Sequence, residues 1–425
     1  MNKELSHNKI KKSLIAPYKD KNIPHAVIEI NQKCNIACKA CFKNKSNYSK
    51  SFDLIKKEID FALQQRIIDT LTLAGGEPTL HEDLYKIVSY ISKKGVYVNM
   101  FSNGLLLNDE MLSDLKQAGL FSLHIHIDSK QKRPDIKDEL TEKELNKKRE
   151  EICLKIKNHG IMPGLCVTLY KSTLDQLTDI SDYLFSSKSV NNILITLYMD
   201  SLSTFNKYNK ITDRNFKNTF KLVKSHENEI VYLKEIESIF KKKYNLNYNS
   251  CVVSKQNNNE PRWFKYEALT VSLKNGQFVI LPYSYSLILI GNFFHELHRI
   301  AYKRYPYMSN PESFSKSNYI FLTILSALLS FNIKYMIKAA KFLFLLFKKD
   351  SKIMMKSLYF QQFAGLNKDG SFDICESCPD ATVRNNMLVP ICIADIINPI
   401  INDENIKNND EILKLGLTKK LDKRK

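Results

Sequence analysis

Three cysteines lie close together in the run Cys34-Asn-Ile-Ala-Cys38-Lys-Ala-Cys41. Three thiolates on one tight loop can hold three irons of a [4Fe–4S] cube and leave the fourth iron without a protein ligand. An open iron lets a cluster bind and reduce a small molecule instead of only passing electrons. Zinc, the other common thiolate metal, favours four protein ligands and paired CxxC motifs. A second group, Cys375, Cys378 and Cys392, combines a CxxC with a third cysteine and also reads as a metal site. Cys153, Cys166 and Cys251 stand alone. The first two fall in a helical and a strand pattern and read as buried small hydrophobes.

The elements that must position these groups follow from periodicity. Strand patterns at 26–30, 70–74, 96–101, 121–128, 164–170 and 192–198 alternate with helical patterns at 52–65, 84–95, 109–119, 138–159 and 174–187. Six strands alternating with helices predict an α/β fold with a parallel sheet, a partial (open) TIM-like barrel of about six β/α units. In such barrels chemistry sits at the carboxyl ends of the strands. The first cysteine group, Gly75-Gly76-Glu77-Pro78, Ser102-Asn103 and Asp128 all fall at such ends. The domain reading is an N-terminal segment 1–25, a core 26–200 and a polar, Lys- and Asn-rich linker or insertion 201–260. An α+β C-terminal extension 261–400, opening on a hairpin through Asn275-Gly276, and a basic tail 401–425 complete it.

Here the sequence resembles the radical S-adenosylmethionine (radical SAM) enzymes, through Cys34, Cys38 and Cys41, then AGGEP at 74–78, then FSNG at 101–104. The resemblance covers about the N-terminal half. It implies a [4Fe–4S] cluster whose open iron is chelated by SAM, and a reductant such as flavodoxin or ferredoxin. It further implies one-electron cleavage of SAM to a 5′-deoxyadenosyl radical that abstracts a substrate hydrogen. SAM's cationic amine needs acceptors, which carbonyls of the Gly75–Gly76 turn and the Glu77 carboxylate would supply, while Pro78 ends the strand without an N–H to satisfy. Ser102 and Asn103 match the positions that contact the carboxylate and sugar of SAM; the competing reading is an Asn-Gly turn. Many members carry an aromatic just before the third cysteine. This chain has Ala40 there and Phe42 after it, so Phe42 is the residue placed near the adenine.

Side chains alternate along a strand, so His124, His126 and Asp128 share one face and would line the barrel interior. His124, the deepest, reads as part of an internal hydrogen-bond network. His126 and Asp128 are the catalytic candidates, and Asp128 is also a cofactor contact. Thr168 and Thr196 are weaker candidates of the same kind. In the context of that resemblance the second cysteine group reads as an auxiliary iron–sulfur cluster, with zinc as the alternative. It is similar to SPASM and twitch-like extensions but departs from the SPASM pattern in having three evident ligands. Cys251 or Asp380 would be a fourth. The run 378–392 also resembles the cysteine-rich segment of radical SAM enzymes that act on lipids and large anabolic intermediates.

The remaining features concern partners. Residues 319–349 are strongly apolar, with Lys334, Lys338 and Lys341 at i, i+4 and i+7. Such a stripe suits an interfacial helix on an anionic membrane surface and, with it, a hydrophobic or lipid-linked substrate. A buried hairpin covering the barrel is the competing reading. The chain of 425 residues carries 64 Lys+Arg against 45 Asp+Glu, net +19, which suits an anionic partner or reflects an AT-rich genome. No nucleic-acid-binding motif accompanies the charge, so nucleic acid is not the expected partner. Only 12 Gly and 12 Pro exclude a collagen-like or linker-like chain. Nine cysteines beside an N-terminus without a secretory pattern point to reduced thiols and metal in the cytoplasm, with peripheral association on the inner face of the membrane as the further expectation. The function expected is hydrogen abstraction by a radical SAM enzyme. The alternatives are peptide modification through an auxiliary cluster, and a non-catalytic iron–sulfur sensor.

Overall fold

The computed structural model describes residues 13–43, 45–136, 139–199, 227–254, 260–273, 276–308, 310–348, 351–366 and 372–397. The basic tail, residues 1–12 of the N-terminal segment, and residues 201–226 and 255–259 of the expected linker or insertion lie outside them.

Six parallel strands form the frame: β1 (His25–Asn31), β2 (Thr70–Gly75), β3 (Tyr97–Ser102), β4 (Leu120–His126), β5 (Met162–Leu169) and β6 (Asn192–Leu197). They pair in sequence order, each hydrogen-bonded to the next. Helices α1 (Phe52–Gln65), α2 (Leu84–Lys93), α3 (Asp109–Ala118), α4 (Glu142–Asn158) and α5 (Leu177–Ser186) connect them. The helix stops are local chemistry. Ser51, Asn108 and Thr141 cap α1, α3 and α4, Thr141 in a capping box with Glu144, and Gly119 ends α3 at φ 105°. One face of each strand packs on the helices. Ala26, Ile28 and Ile30 meet Ile55, Ile59 and Ala62 in one fully buried core. At ~1.5–3 kcal/mol per buried large aliphatic side chain, this face holds the helices on the sheet.

The other face is the barrel interior, and it is polar. A belt of hydrogen bonds crosses it. His25 Nε2 meets Thr72 Oγ1 at 2.7 Å, and Asn99 Nδ2 donates to Thr72 Oγ1 at 3.0 Å. The His124 ring bridges Asn99 at 2.8 Å and Asn192 at 2.6 Å. Gly164 on β5 makes room for that ring, since a Cβ there would stand 2.4 Å from it.

The sheet does not stop at six strands. After α6 (Leu233–Tyr244) come β7 (Ser250–Val253), β8 (Pro261–Ser272) and β9 (Phe278–Pro282), then α7 (Tyr285–Tyr302), α8 (Lys316–Leu329), α9 (Ile333–Leu345) and β10 (Lys352–Gln362). β10 runs parallel to β6 and antiparallel to β8, so the C-terminal extension continues the barrel wall. Within the expected linker or insertion, residues 233–253 hold a helix and a strand of the main sheet, and that strand pairs with β8 on one side and Leu14–Ile15 on the other. Polar composition hid them because Ile236, Phe240 and Cys251 carry the buried face with few residues. The hairpin is present as β8 and β9, with Lys274 and Asn275 outside the described residues. Helices α8 and α9 pack Tyr319, Ala339 and Phe342 on Leu269, Val271 and Leu281 of β8 and β9, while Phe321, Leu328, Phe331, Ile333, Phe344 and Phe347 are exposed. No helix among the described residues is long and apolar enough to cross a membrane.

Candidate active site at the carboxyl end of the barrel

A cavity of about 200 Å³ opens at the carboxyl ends of the strands, and Cys34, Cys38 and Cys41 line it. The loop that carries them is held by backbone. Gly76 N–H donates to Asn31 O at 2.9 Å and Glu77 N–H to Lys33 O at 2.7 Å, while Asn31 Nδ2 donates to Glu77 O at 2.9 Å. Gly75 has φ 145°, and a Cβ on Gly75 or Gly76 would stand 2.4 Å from Asn31 O or 2.0 Å from Lys33 O. The paired glycines therefore let the cysteine loop lie directly on the β2 turn. The sequence reading had given that closeness to a cofactor alone.

Glu77 is buried and lines the cavity, yet its carboxylate is engaged by the protein. Oε1 accepts from Thr79 N, Thr79 Oγ1 and Ser102 Oγ at 3.1, 2.6 and 2.8 Å, and Oε2 from Asn103 N at 2.7 Å. Glu77 thus fixes Ser102 and Asn103, both of which line the cavity. Asn103 is further held by Asn35 Oδ1 at 2.7 Å and, through its carbonyl, by Arg133 Nη1 at 2.6 Å. Sequence reasoning missed Asn31, Asn35 and Arg133; the flanking residues Asn31 and Asn35 were the available signal. Pro78 opens a 3-10 turn after Glu77 and is not a wall residue, so it shapes the turn and does not face the cavity.

His126 faces the cavity together with Thr168 and Thr196. Its Nε2 lies 2.9 Å from Asp128 Oδ2 and 3.2 Å from Thr168 Oγ1. Asp128 is buried behind it and takes amide hydrogens from Lys130 at 2.9 Å and Thr168 at 3.3 Å. Burial pushes the Asp128 carboxyl up, but His126 and these amides outweigh it and hold it below the usual carboxylate range. Asp128 is not a wall residue and meets the cavity through its hydrogen bond to His126. His124 faces away from this cavity; burial lowers its pKa to about 4, and it is a neutral member of the belt. Phe42 lines the cavity, edge-on to Phe363 at 4.6 Å.

The thiols show what the loop would hold. Burial raises Cys34 and Cys38, the neighbouring Cys41 raises both further, and Lys45 opposes the rise. Three thiolates side by side near Asp128 and Glu77 are electrostatically costly without a cation among them. An iron–sulfur cluster supplies that positive charge, and the all-thiol donor set fits one. Among the described residues no His, Cys, Asp and Glu side chains form a ready-made metal cage.

The second cysteine group is clamped to the barrel from outside. Arg66 Nη1 donates to His25 O at 2.6 Å and Pro379 O at 3.0 Å, and Nη2 to Cys378 O at 3.1 Å. The Cys375 thiol and burial push Cys378 up, and burial raises Cys392 to about 12 with Cys378 adding to it. Cys378 thus interacts with each of the other two thiols. Of the two expected fourth ligands, Asp380 acts on both Cys378 and Cys392 and raises each, with its carboxylate already engaged, and Cys251 stands apart. Asp380 is taken by His25 Nδ1 at 2.9 Å, Gln361 and Tyr307, and Cys251 sits in the main core against Ser13 Oγ at 3.6 Å. A buried cluster joins the two cysteine groups: Glu29 and Asp395 share Arg384, and Lys43 lies 2.5 Å from Glu29 and 3.1 Å from Asp395. Gln361, Phe363, Asp380 and Ile391 bring the C-terminal region into the wall of the first cavity.

Residues 28–184 match the Radical SAM superfamily model. Over 104 residues the chain is 35% identical to an S-adenosylmethionine-dependent nucleotide dehydratase of Selenomonas ruminantium, covering 24% of this chain and 38% of that one. It is 28% identical over 175 residues to a tungsten-containing aldehyde ferredoxin oxidoreductase cofactor-modifying protein of Pyrococcus furiosus, covering 37% and 47%. The chain thus spans under half the length of both curated relatives. Among solved structures, Streptococcus suis SuiB bound to S-adenosylmethionine aligns with a TM-score of 0.38 at 12% identity, over 54% of this chain and 51% of that one.

Proposed function

We propose, from the premise that residues 28–184 form a radical SAM domain, that this chain is an enzyme that binds S-adenosylmethionine beside a [4Fe–4S] cluster and abstracts a hydrogen from a substrate. The observation that supports it most is the meeting of Cys34, Cys38, Cys41, Gly75, Gly76, Ser102, Asn103 and His126 on one cavity wall. A cluster held by the three cysteines would supply the electron that cleaves SAM to a 5′-deoxyadenosyl radical. The chain's own residues do the rest. The Gly75 and Gly76 carbonyls accept from the SAM amine, and Ser102 and Asn103, pinned by Glu77, meet its carboxylate and sugar. Phe42 packs on the adenine. His126, oriented by Asp128 and Thr168, contacts the substrate or the sugar. A reductant such as flavodoxin or ferredoxin supplies the electron, and Cys375, Cys378 and Cys392 hold a second iron–sulfur cluster, zinc being the alternative.

A hydrophobic or lipid-linked substrate is favoured by the exposed apolar side chains of α7–α9 beside Lys334 and Lys341. Peptide modification through the second cluster is the other reading, favoured by Gln361, Phe363 and Ile391 in the cavity wall. The test is anaerobic reconstitution with iron and sulfide counting and a 5′-deoxyadenosine assay under dithionite. The protein makes 5′-deoxyadenosine, and the Cys34→Ala, Cys38→Ala, Cys41→Ala triple variant makes none while keeping its fold. Product from that variant would sink the reading. Iron equal to a single cube in the intact protein removes the second cluster.

A further inference from the structure

The loop after β1 carries four lysines among its three cysteines: Lys33, Lys39, Lys43 and Lys45. Lys43 and Lys45 line the first cavity, Lys33 and Lys39 do not. Their charges go to different places. Lys39 Nζ stands 2.7 Å from Glu229, and Lys43 Nζ stands 2.5 Å from Glu29 and 3.1 Å from Asp395. Both of these cations are neutralised by carboxylates. Lys45 Nζ instead donates to the carbonyl oxygen of Ile36 at 2.8 Å, and among the described residues no carboxylate pairs with it. A carbonyl accepts the hydrogen without cancelling the charge.

That carbonyl also fixes where the charge sits. Ile36 lies halfway between Cys34 and Cys38 in sequence, and Lys45, Ile36 and all three cysteines share one cavity wall. Lys45 is the cation that acts on both Cys34 and Cys38, against Glu77 on the first and Asp128 on the second. Three thiolates outweigh the positive charge of an oxidised [4Fe–4S] core. The assembly is therefore anionic before an electron arrives and more so after it, and net charge is one of the factors that set the potential of such a cluster. A cation fixed beside it stabilises the reduced form more than the oxidised one.

We propose, resting on the cluster assigned above to Cys34, Cys38 and Cys41, that Lys45 is a positioning residue for charge: its ammonium, held on the Ile36 carbonyl, raises the reduction potential of that cluster. One electron passes from the flavodoxin or ferredoxin to the cluster. Lys45 keeps its proton, forms no bond and changes only the energy of the electron's destination. The two paired lysines of the loop have no such part, because Glu229 cancels Lys39, and Glu29 and Asp395 cancel Lys43.

The full chain is reconstituted anaerobically and titrated potentiometrically in the absence of SAM. Electron paramagnetic resonance reads the reduced cluster, and iron and sulfide counts give its amount. Lys45→Gln removes one charge and lowers the equilibrium constant for reduction about tenfold, a shift of about 59 mV to more negative potential. Lys45→Glu reverses the charge and lowers the constant about tenfold again. Lys45→Arg restores the charge and with it most of the potential, although its head group differs from that of lysine. The double variant Lys39→Gln, Glu229→Gln removes a neutral pair from the same loop and shifts the potential by less than half as much as Lys45→Gln. A variant that loads poorly is read on its loaded fraction, since only reduced cluster gives the signal. An unchanged potential in Lys45→Gln, or a shift in Lys45→Arg as large as that in Lys45→Gln, overturns the proposal. Unchanged potential with weakened SAM binding in Lys45→Gln also overturns it, and assigns the ammonium to the SAM carboxylate instead. A wild-type chain that holds no [4Fe–4S] cluster is a separate result, which removes the function proposed above and the role of Lys45 with it.

Discussion

The two cysteine groups share a CxxC yet are held in opposite ways. The first lies on the β2 turn through backbone hydrogen bonds from Gly76 and Glu77, and two glycines remove the Cβ atoms that would keep the strands apart. The second reaches the barrel through side chains distant in sequence, with Arg66 on the Cys378 and Pro379 carbonyls and His25 on Asp380. A site built from backbone tolerates almost no change of residue at the contact. A site held by long side chains keeps its fold when one clamp is lost and gives up geometry first. Substitutions at the two contacts break or sharpen that difference.

The largest effect is expected at Gly76→Ala. Its Cβ would overlap Lys33 O, a backbone atom that cannot rotate away. The cost is above about 3 kcal/mol, and the first cysteine loop is displaced. Thermal unfolding and iron content after reconstitution measure it. Near-normal stability with full iron would mean that the loop is not held by backbone.

Arg66→Leu should come next. Three carbonyl oxygens lose a buried charged donor, for a loss of about 3 kcal/mol. Burial already lowers the guanidinium pKa to about 10, while Cys378 and Asp380 support its charge. If the second group holds the proposed metal, iron content should fall while SAM affinity of the first cavity changes little. Equal loss at both groups would show that they are one cooperative unit, joined through Lys43, Glu29, Arg384 and Asp395.

These differences also explain what the sequence could show. The six strands were legible because each carries its own apolar run, and the GGEP turn because paired glycines at a strand end have few other uses. Gly76 was legible as a residue but not in its reason, since Lys33 O lies on a different segment. β10 was not legible as the neighbour of β6, because a parallel partner brought back after α9 leaves no local mark. Asp380 looked like a ligand in a cysteine-rich run, and only the fold brings His25 to it. Glu77 was legible as a residue of the turn, but its hold on Ser102 and Asn103 was not, since they lie at the end of the next strand.

The polar belt gives a smaller effect with a defined sign. His124 is buried with its pKa lowered from 6.5 to about 4, first by burial, with Asn192 opposing and His25 adding. The unfolded chain therefore binds a proton that the folded ring refuses between these values. Stability is full above 6.5 and falls as pH drops toward the folded pKa; at pH ~5 the loss is about 2 kcal/mol. His295, also lowered by burial, acts in the same direction. His124→Gln flattens urea unfolding between these limits, whereas an unchanged slope would mean that the ring is protonated within the fold.

The smallest effect separates the two faces of the apolar helices. The inner faces of α8 and α9 are satisfied by the sheet through Tyr319, Ala339 and Phe342. The outer faces are not: Phe331 and Phe347 are 91% and 83% exposed, with Ile333, Ile337 and Phe344 also exposed. Lys338 is half-buried, and burial lowers its pKa, so Lys334 and Lys341 are the stripe residues free to meet an anionic surface. Vesicles of anionic lipid should bind the full chain at low salt and release it at high salt, because the lysine contribution is screened while the apolar one is not. Lys334→Gln and Lys341→Gln should each weaken binding by about 1 kcal/mol, and Phe347→Ser should weaken it equally at both salt concentrations. Neutral vesicles bound as tightly as anionic ones would leave the lysines without a role. A dimer in sedimentation that persists beside vesicles and disappears in Phe347→Ser would assign the face to a second copy of the chain, and the hydrophobic-substrate reading would lose its support.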